Sequence, residues 1–228
     1  MGPPVALTGG YDTEVYALDV RGAPPAVPPA RVLRMLRSHH DPARVLREEA
    51  TQNTLAAQGY PAPRVLLASA DPTILGAPFL VMERAPGRPL TRAGIGALLR
   101  VLVEQHLRLH ALDATPLARA LGEWATLDGY FEAEERRIAA ASLTGLGPLL
   151  AWCRRARPPE DRAPAVCHGD FHPQNILVRD GAVTAVLDWP NALVGDPAFD
   201  VAATLNVIGL VPADLAGVAG PLRWLARA

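Results

Sequence analysis

Lysine is missing from this sequence altogether: all 22 basic residues are arginine. Any chemistry that ordinarily uses a lysine must therefore run on a guanidinium, a planar group that grips oxyanions bidentately. Cysteine is nearly as scarce. Cys153 and Cys167 are the only two and form no C-x-x-C pair, so neither a disulfide framework nor a thiolate zinc site is indicated. Excess charge is missing too. A formal net charge of −1 gives no nucleic-acid footprint and no polybasic membrane patch. No stretch approaches the ~18 uninterrupted apolar residues of a membrane span. Met1 to Gly10 lacks a charged segment followed by an apolar run, so no secretory leader is expected. The expectation is a soluble cytoplasmic protein with no nucleic-acid or membrane partner.

What is present divides the chain into two parts. Thr13–Val20 and Arg31–Leu36 read as paired strands, rich in β-branched and apolar residues. The prolines of Arg21–Ala30 between them demand an exposed loop. Pro42–Gln58 reads as a helix stopped by Gly59. Val65–Ala68 and Pro78–Met82 read as further strands. After Glu83 helices take over. Ile95–Leu109 carries Leu98, Leu99, Leu102, Val103 and Leu107 at the spacing of an amphipathic face. Tyr130–Ala141 and Leu149–Arg155 are two more helices. The fold class is α+β, with a small β-rich lobe over residues 1–82 and a larger helical lobe over residues 83–228.

The chemistry concentrates between Cys167 and Asp200, CHGDFHPQNILVRDGAVTAVLDWPNALVGDPAFD. Ile176–Val178 and Ala182–Leu187 are apolar runs joined through Asp180-Gly181, a strong hairpin-turn signal. A turn centred there pairs residue 175 with residue 186 and brings Asn175 and Asp188 to the same open end. An amide oxygen and a carboxylate converging on one point suit a hard cation such as Mg2+, which completes its shell with water and phosphate oxygens. Asp170, on the loop that feeds the hairpin, is placed to accept the proton of an attacking hydroxyl.

The ordered set His168-Gly169-Asp170, Asn175, Leu187-Asp188-Trp189, Gly195-Asp196-Pro197 and Asp200 resembles the aminoglycoside phosphotransferase family and its small-molecule kinase relatives. The resemblance implies a two-lobed protein-kinase-like fold. It also implies transfer of the γ-phosphoryl group of ATP (or GTP) to a hydroxyl of a small molecule, an aminoglycoside-type antibiotic or a hydroxyl metabolite. It makes Asp170 the catalytic base and Asn175 and Asp188 the metal ligands. Upstream, it makes Gly9 and Gly10 the glycines of a nucleotide-covering hairpin. Arg34 takes the place of the phosphate-gripping lysine, with Glu48 orienting it. Glu83 and Ala85 become the backbone that faces the adenine.

The chain ends 28 residues after Asp200, where the family continues with helices that wall the acceptor pocket, so a shortened or truncated member is expected. The missing lysine and short end leave an alternative, a catalytically weak nucleotide-binding module of the pseudokinase kind. The retained trio of Asp170, Asn175 and Asp188 argues against it. His168 is expected to prop its loop, and His172 to be structural too. His106 and His110, four apart on one helix without the glutamate of an H-E-x-x-H site, are expected to be packing and surface residues. Glu132, Glu134 and Glu135 are candidates for an acidic acceptor pocket or a solvated helix face.

Overall fold

Short apolar segments broken by turn residues build the first sheet. It runs antiparallel in the order β1 (Val5–Ala6), β2 (Thr13–Asp19), β3 (Ala30–Leu36), β5 (Phe79–Glu83) and β4 (Val65–Ser69). The computed structural model describes residues 3–7, 13–20, 30–37, 41–92, 95–159 and 162–210. β2 and β3 pair without interruption from Thr13↔Leu36 to Asp19↔Ala30. Behind the sheet lies helix α1 (Arg44–Ala57). Val45, Glu48, Gln52 and Leu55 recur at three-and-four spacing and are its buried stripe. Asp41 starts the helix by accepting the Ala43 N–H at 2.9 Å. Gly59, at φ +76°, ends it in the left-handed conformation that costs glycine nothing. Val45 packs with Leu36, Val65, Leu80 and Met82 into a small core under the sheet.

The rest is mostly helical: α2 (Ile95–His110), α3 (Thr115–Leu121), α4 (Leu127–Ala140), α5 (Gly147–Arg155) and α6 (Pro197–Leu210). Short β6 (Arg88–Pro89) pairs with β8 (Ile176–Arg179), which pairs with β9 (Ala182–Val186). A separate ribbon joins β7 (Ala165–Cys167) to β10 (Leu193–Gly195). The larger core gathers Leu109, Leu117, Phe171, Ile176, Val186 and Trp189. Leu55, Tyr60 and Ala62, at and beyond the end of α1, belong to this second core. The α+β class is as expected. No helix among the described residues is long and apolar enough to cross a membrane.

Two local expectations need correction. The buried face of α2 is Val101, Leu102, Gln105, His106 and Leu109, while Leu99, Val103 and Leu107 stand exposed. Apolar spacing alone misplaced the face, because tertiary contacts bury Gln105 and His106 in preference to three aliphatic side chains. In the hairpin, Asp180 and Gly181 have φ of +52° and +80°, as the tight turn requires. Yet Val178 faces Val183 while Leu177 faces Ala185, so Thr184 is an extra, bulged residue. The bulge shifts the register beyond it by one: Leu187 N–H donates to Asn175 O at 2.8 Å. Residue 175 is therefore opposite 187, not 186, and Asp188 directly follows the pair.

Candidate active site

The loop from β7 into β8 is held from behind by its own histidine. His168 is fully buried, with Nε2 2.9 Å from Leu187 O and Nδ1 3.2 Å from the Asp170 N–H that it accepts. Burial pushes its pKa below the ordinary imidazole value, which agrees with a neutral ring that donates at one nitrogen and accepts at the other. Gly169, at φ +75°, sits so close to the next loop that a Cβ would lie 2.6 Å from Asn191 O. Its N–H donates to Asp200 Oδ1 at 2.8 Å. These contacts present Asp170 at the surface of the loop with its side chain 30% exposed.

Asn175 closes the other side. Its Nδ2 donates to Asp170 O at 3.0 Å and lies 3.4 Å from Asp170 Oδ2, which turns the amide oxygen away from the loop. His172 Nε2 stands 3.6 Å from Asp170 Oδ1 and 3.1 Å from the same amide nitrogen. Asp188 follows at the end of β9 with φ +67°. Its carboxylate is 39% exposed, so solvent and ligands reach it. Asn175 and Asp188 thus offer one neutral and one anionic oxygen at adjacent backbone positions. That hard-oxygen donor set fits Mg2+ and does not fit a soft ion.

Arg34 enters from β3 and reaches across to this hairpin. Its Nε donates to Thr13 Oγ1 at 3.1 Å, its Nη1 to Glu48 Oε2 at 2.9 Å and its Nη2 to Asp188 Oδ1 at 2.8 Å. Glu48, fully buried, also accepts from Arg44 Nε at 3.2 Å. Burial drives the Glu48 pKa up, against the pull of both guanidiniums. For Asp188 burial also opposes ionisation, but the Arg34 charge and hydrogen bond outweigh it and hold the carboxyl below its usual range. Sequence reasoning missed Arg44. Its spacing of four from Glu48 on one helix face was the available signal.

The structure therefore brings Asp170, Asn175, Asp188, Arg34 and Glu48 into one cleft. Glu83 ends β5, and its N–H donates to Arg64 O at 2.9 Å. Ala85 follows two residues later, outside any helix or strand. Gly9 and Gly10 lie outside the described residues, as do 211–228. The three glutamates of α4 each meet an arginine: Glu132 with Arg136 at 3.9 Å, Glu135 with Arg154 at 3.3 Å, and Glu134 with Arg137. These pairs lie on exposed surface, which is the arrangement of a solvated helix face. His106 and His110 also depart from expectation, since both turn their Nε2 atoms onto the buried Asp200.

Comparison with known proteins agrees with this geometry. The family model described as "Phosphotransferase enzyme family" matches residues 5–222. Acyl-CoA dehydrogenase family member 11 of Gallus gallus is 30% identical over 191 residues, which is 73% of this chain and 24% of that protein. The chain thus spans about a quarter of the length of that relative. Aminoglycoside 3'-phosphotransferase of Streptomyces fradiae is 29% identical over 239 residues, covering 95% of this chain and 84% of that one. Among solved structures, a thermostable mutant of aminoglycoside phosphotransferase APH(4)-Ia, in ternary complex with ADP and hygromycin B, superposes with a TM-score of 0.60. It is 21% identical, and the match covers 89% of this chain and 71% of that one. The fold is protein-kinase-like, as expected.

Proposed function

The chain belongs to the phosphotransferase enzyme family, and from that premise we propose that it moves the γ-phosphoryl group of ATP or GTP onto a hydroxyl of a small molecule. One observation carries the reading. Asp170 and Asn175 are hydrogen-bonded, Leu187 N–H on Asn175 O sets Asp188 beside them, and Arg34 ties Asp188 to Glu48. We assign residues 1–82 to nucleotide binding and 83–228 to catalysis.

In this reading Asp170 orients the acceptor hydroxyl and takes its proton. Asn175 and Asp188 would hold Mg2+, which when bound would supply charge neutralisation for the phosphates. Arg34 grips the α- and β-phosphates, and Glu48 keeps the guanidinium pointed at the cleft. Glu83 and Ala85 offer backbone to the base, and Gly9 and Gly10 cover the phosphates. The acceptor enters beside α4, next to Tyr130. Burial raises the pKa of that phenol, and negative charge at Glu134 and Asp170 raises it further, so it stays a neutral hydrogen-bonding group. Because the α4 glutamates are matched by arginines, a strongly cationic acceptor gains little there, and a hydroxyl metabolite of low positive charge fits better.

Purified protein with Mg2+ and ATP or GTP, screened against hydroxyl metabolites and aminoglycosides, tests the proposal. Acceptor-dependent release of nucleoside diphosphate that vanishes in Asp170→Asn is the expected result. Nucleotide binding with no turnover on any acceptor would favour the pseudokinase-like reading, to which the Arg34 contact on Asp188 lends some support.

A further inference from the structure

His106 and His110 lie one helical turn apart on α2, so their side chains share a face. Both reach Asp200, on the first turn of α6, and both address the same oxygen. His110 Nε2 is 3.0 Å and His106 Nε2 3.4 Å from Asp200 Oδ2. Thr204, one turn further along α6, brings its Oγ1 to 3.4 Å from His106 Nε2. We propose that His106, His110 and Asp200 form a metal site, distinct from the nucleotide cleft, for a divalent first-row transition ion such as Zn2+.

His110 Nε2 at 3.0 Å from Asp200 Oδ2 makes a good hydrogen bond by itself, but the His106 distances fit an ion better than a second such bond. A good N–H···O bond spans about 2.7–3.2 Å. His106 Nε2 has two oxygen neighbours, each at 3.4 Å, beyond that range. Ligands held tetrahedrally at about 2.0–2.1 Å stand about 3.3 Å from one another, and 3.0 and 3.4 Å bracket that edge. The ligand atoms of the three residues lie within 4.8 Å of one another, close enough to address one ion. The donor set, two imidazoles and a carboxylate with a hydroxyl or water as fourth ligand, suits Zn2+ and not the hard Mg2+ of the cleft.

The surroundings also fit. Asp200 is fully buried, and its side chain meets the two imidazoles and one backbone N–H. Burial opposes its ionisation, but hydrogen bonds from the imidazoles and the Gly169 N–H hold it below the usual carboxylate range, so it is an anionic ligand ready for a divalent ion. Its second oxygen, Oδ1, is fixed by the Gly169 N–H, the outer contact that orients a carboxylate ligand. Phe171 stacks on His106 at 4.1 Å and holds that ring in place. The histidine side chains are 11% and 15% exposed, which leaves an entry path. An ion here would pull on Asp200 and, through Gly169, set the loop that carries Asp170.

Chelator-stripped full-length protein, incubated with Zn2+ or Co2+ and desalted, should retain one ion per chain and unfold at higher temperature. The Co2+ form should show the intense visible bands of a tetrahedral site. His106→Gln and His110→Gln should each weaken retention about ten-fold or more. His39 and His40, adjacent in sequence and outside the described residues, are the control: the double variant H39Q/H40Q should leave retention unchanged. X-ray absorption at the zinc edge of the wild-type protein needs no variant and should find two imidazoles with oxygen ligands. No retained ion, retention indifferent to both histidine variants, loss in H39Q/H40Q, or sulfur in the shell would each overturn the proposal.

Discussion

Arg34 Nη2 donates to Asp188 Oδ1 at 2.8 Å, and the two residues are 154 positions apart in sequence. One guanidinium thereby joins Thr13 and Glu48 on the sheet side to the aspartate that follows the β8–β9 hairpin. A primary amine has neither the reach nor the planar fork to hold all three at once.

Arg34→Ala should therefore raise the nucleotide KM and lower kcat together, and should cost about 1–3 kcal/mol of stability by removing one of the two charged partners of buried Glu48. Arg34→Lys should recover only part of either loss. Steady-state kinetics and urea unfolding measure both. A lysine variant equal to wild type would mean that the fork is dispensable.

Glu48 should keep some of its worth after Arg34 is gone. Arg44 Nε still lies 3.2 Å from Glu48 Oε1, so a second charged partner remains. Glu48→Gln in the Arg34→Ala background should still cost about 1–3 kcal/mol, and this residue of the effect should vanish when Arg44 is also replaced. A three-way unfolding cycle decides it. Complete loss of the effect on removing Arg34 alone would leave Arg44 without a role.

Asp188→Ala should weaken nucleotide binding in the presence of Mg2+ and leave it nearly unchanged without. Asn175→Ala should do the same more mildly, since an amide brings a dipole and no charge. Asp170→Asn should spare affinity and abolish transfer. Isothermal titration with and without Mg2+ separates the cases. Equal losses in both conditions would assign Asn175 and Asp188 to the fold.

Gly169→Ala should damage the loop before it damages the core. Its Cβ would lie 2.6 Å from Asn191 O on backbone already at φ +75°, so one of the two loops must move. A cost of about 1–3 kcal/mol is expected, with a larger fall in kcat than in nucleotide affinity, because Asp170 comes next. Wild-type kcat in this variant would show that the Asp170 loop tolerates displacement.

The stabilising share of His168 should depend on pH. Its folded pKa is depressed from 6.5 by burial, so the unfolded chain takes the proton first as pH falls. The contribution is whole above about pH 6.5 and is lost as pH drops through the folded value. Urea unfolding of wild type and His168→Gln across pH 5–8 should give a gap that narrows on the acid side. A gap that widens toward acid would mean that the buried ring is charged.

The catalytic segment was legible because its parts are close in sequence. An Asp-Gly turn between apolar runs names a hairpin, and the hairpin names what meets at its open end. The bulge at Thr184 left no such mark, since threonine is an ordinary strand residue, and the register came out one residue off. The α2 face was misread for a related reason. Leu99, Val103 and Leu107 satisfy helical spacing, but which side of a helix is buried depends on its neighbours. Asp200 reads from sequence as one acid in a motif. That two histidines some ninety residues earlier close on it is a property of packing alone.

The bulged strand is also a fastening. Thr184 Oγ1 donates to Pro86 O, and Val186 N–H donates to Pro61 O at 2.7 Å. Asp188, two residues further on, takes the Arg34 guanidinium. Three alternate residues of one short segment thus bind three separate stretches of the preceding chain: Pro61 ahead of β4, Pro86 behind β5, and Arg34 on β3. A hairpin that local sequence builds by itself is in this way stitched at every second residue to parts of the chain some 98 to 154 positions earlier.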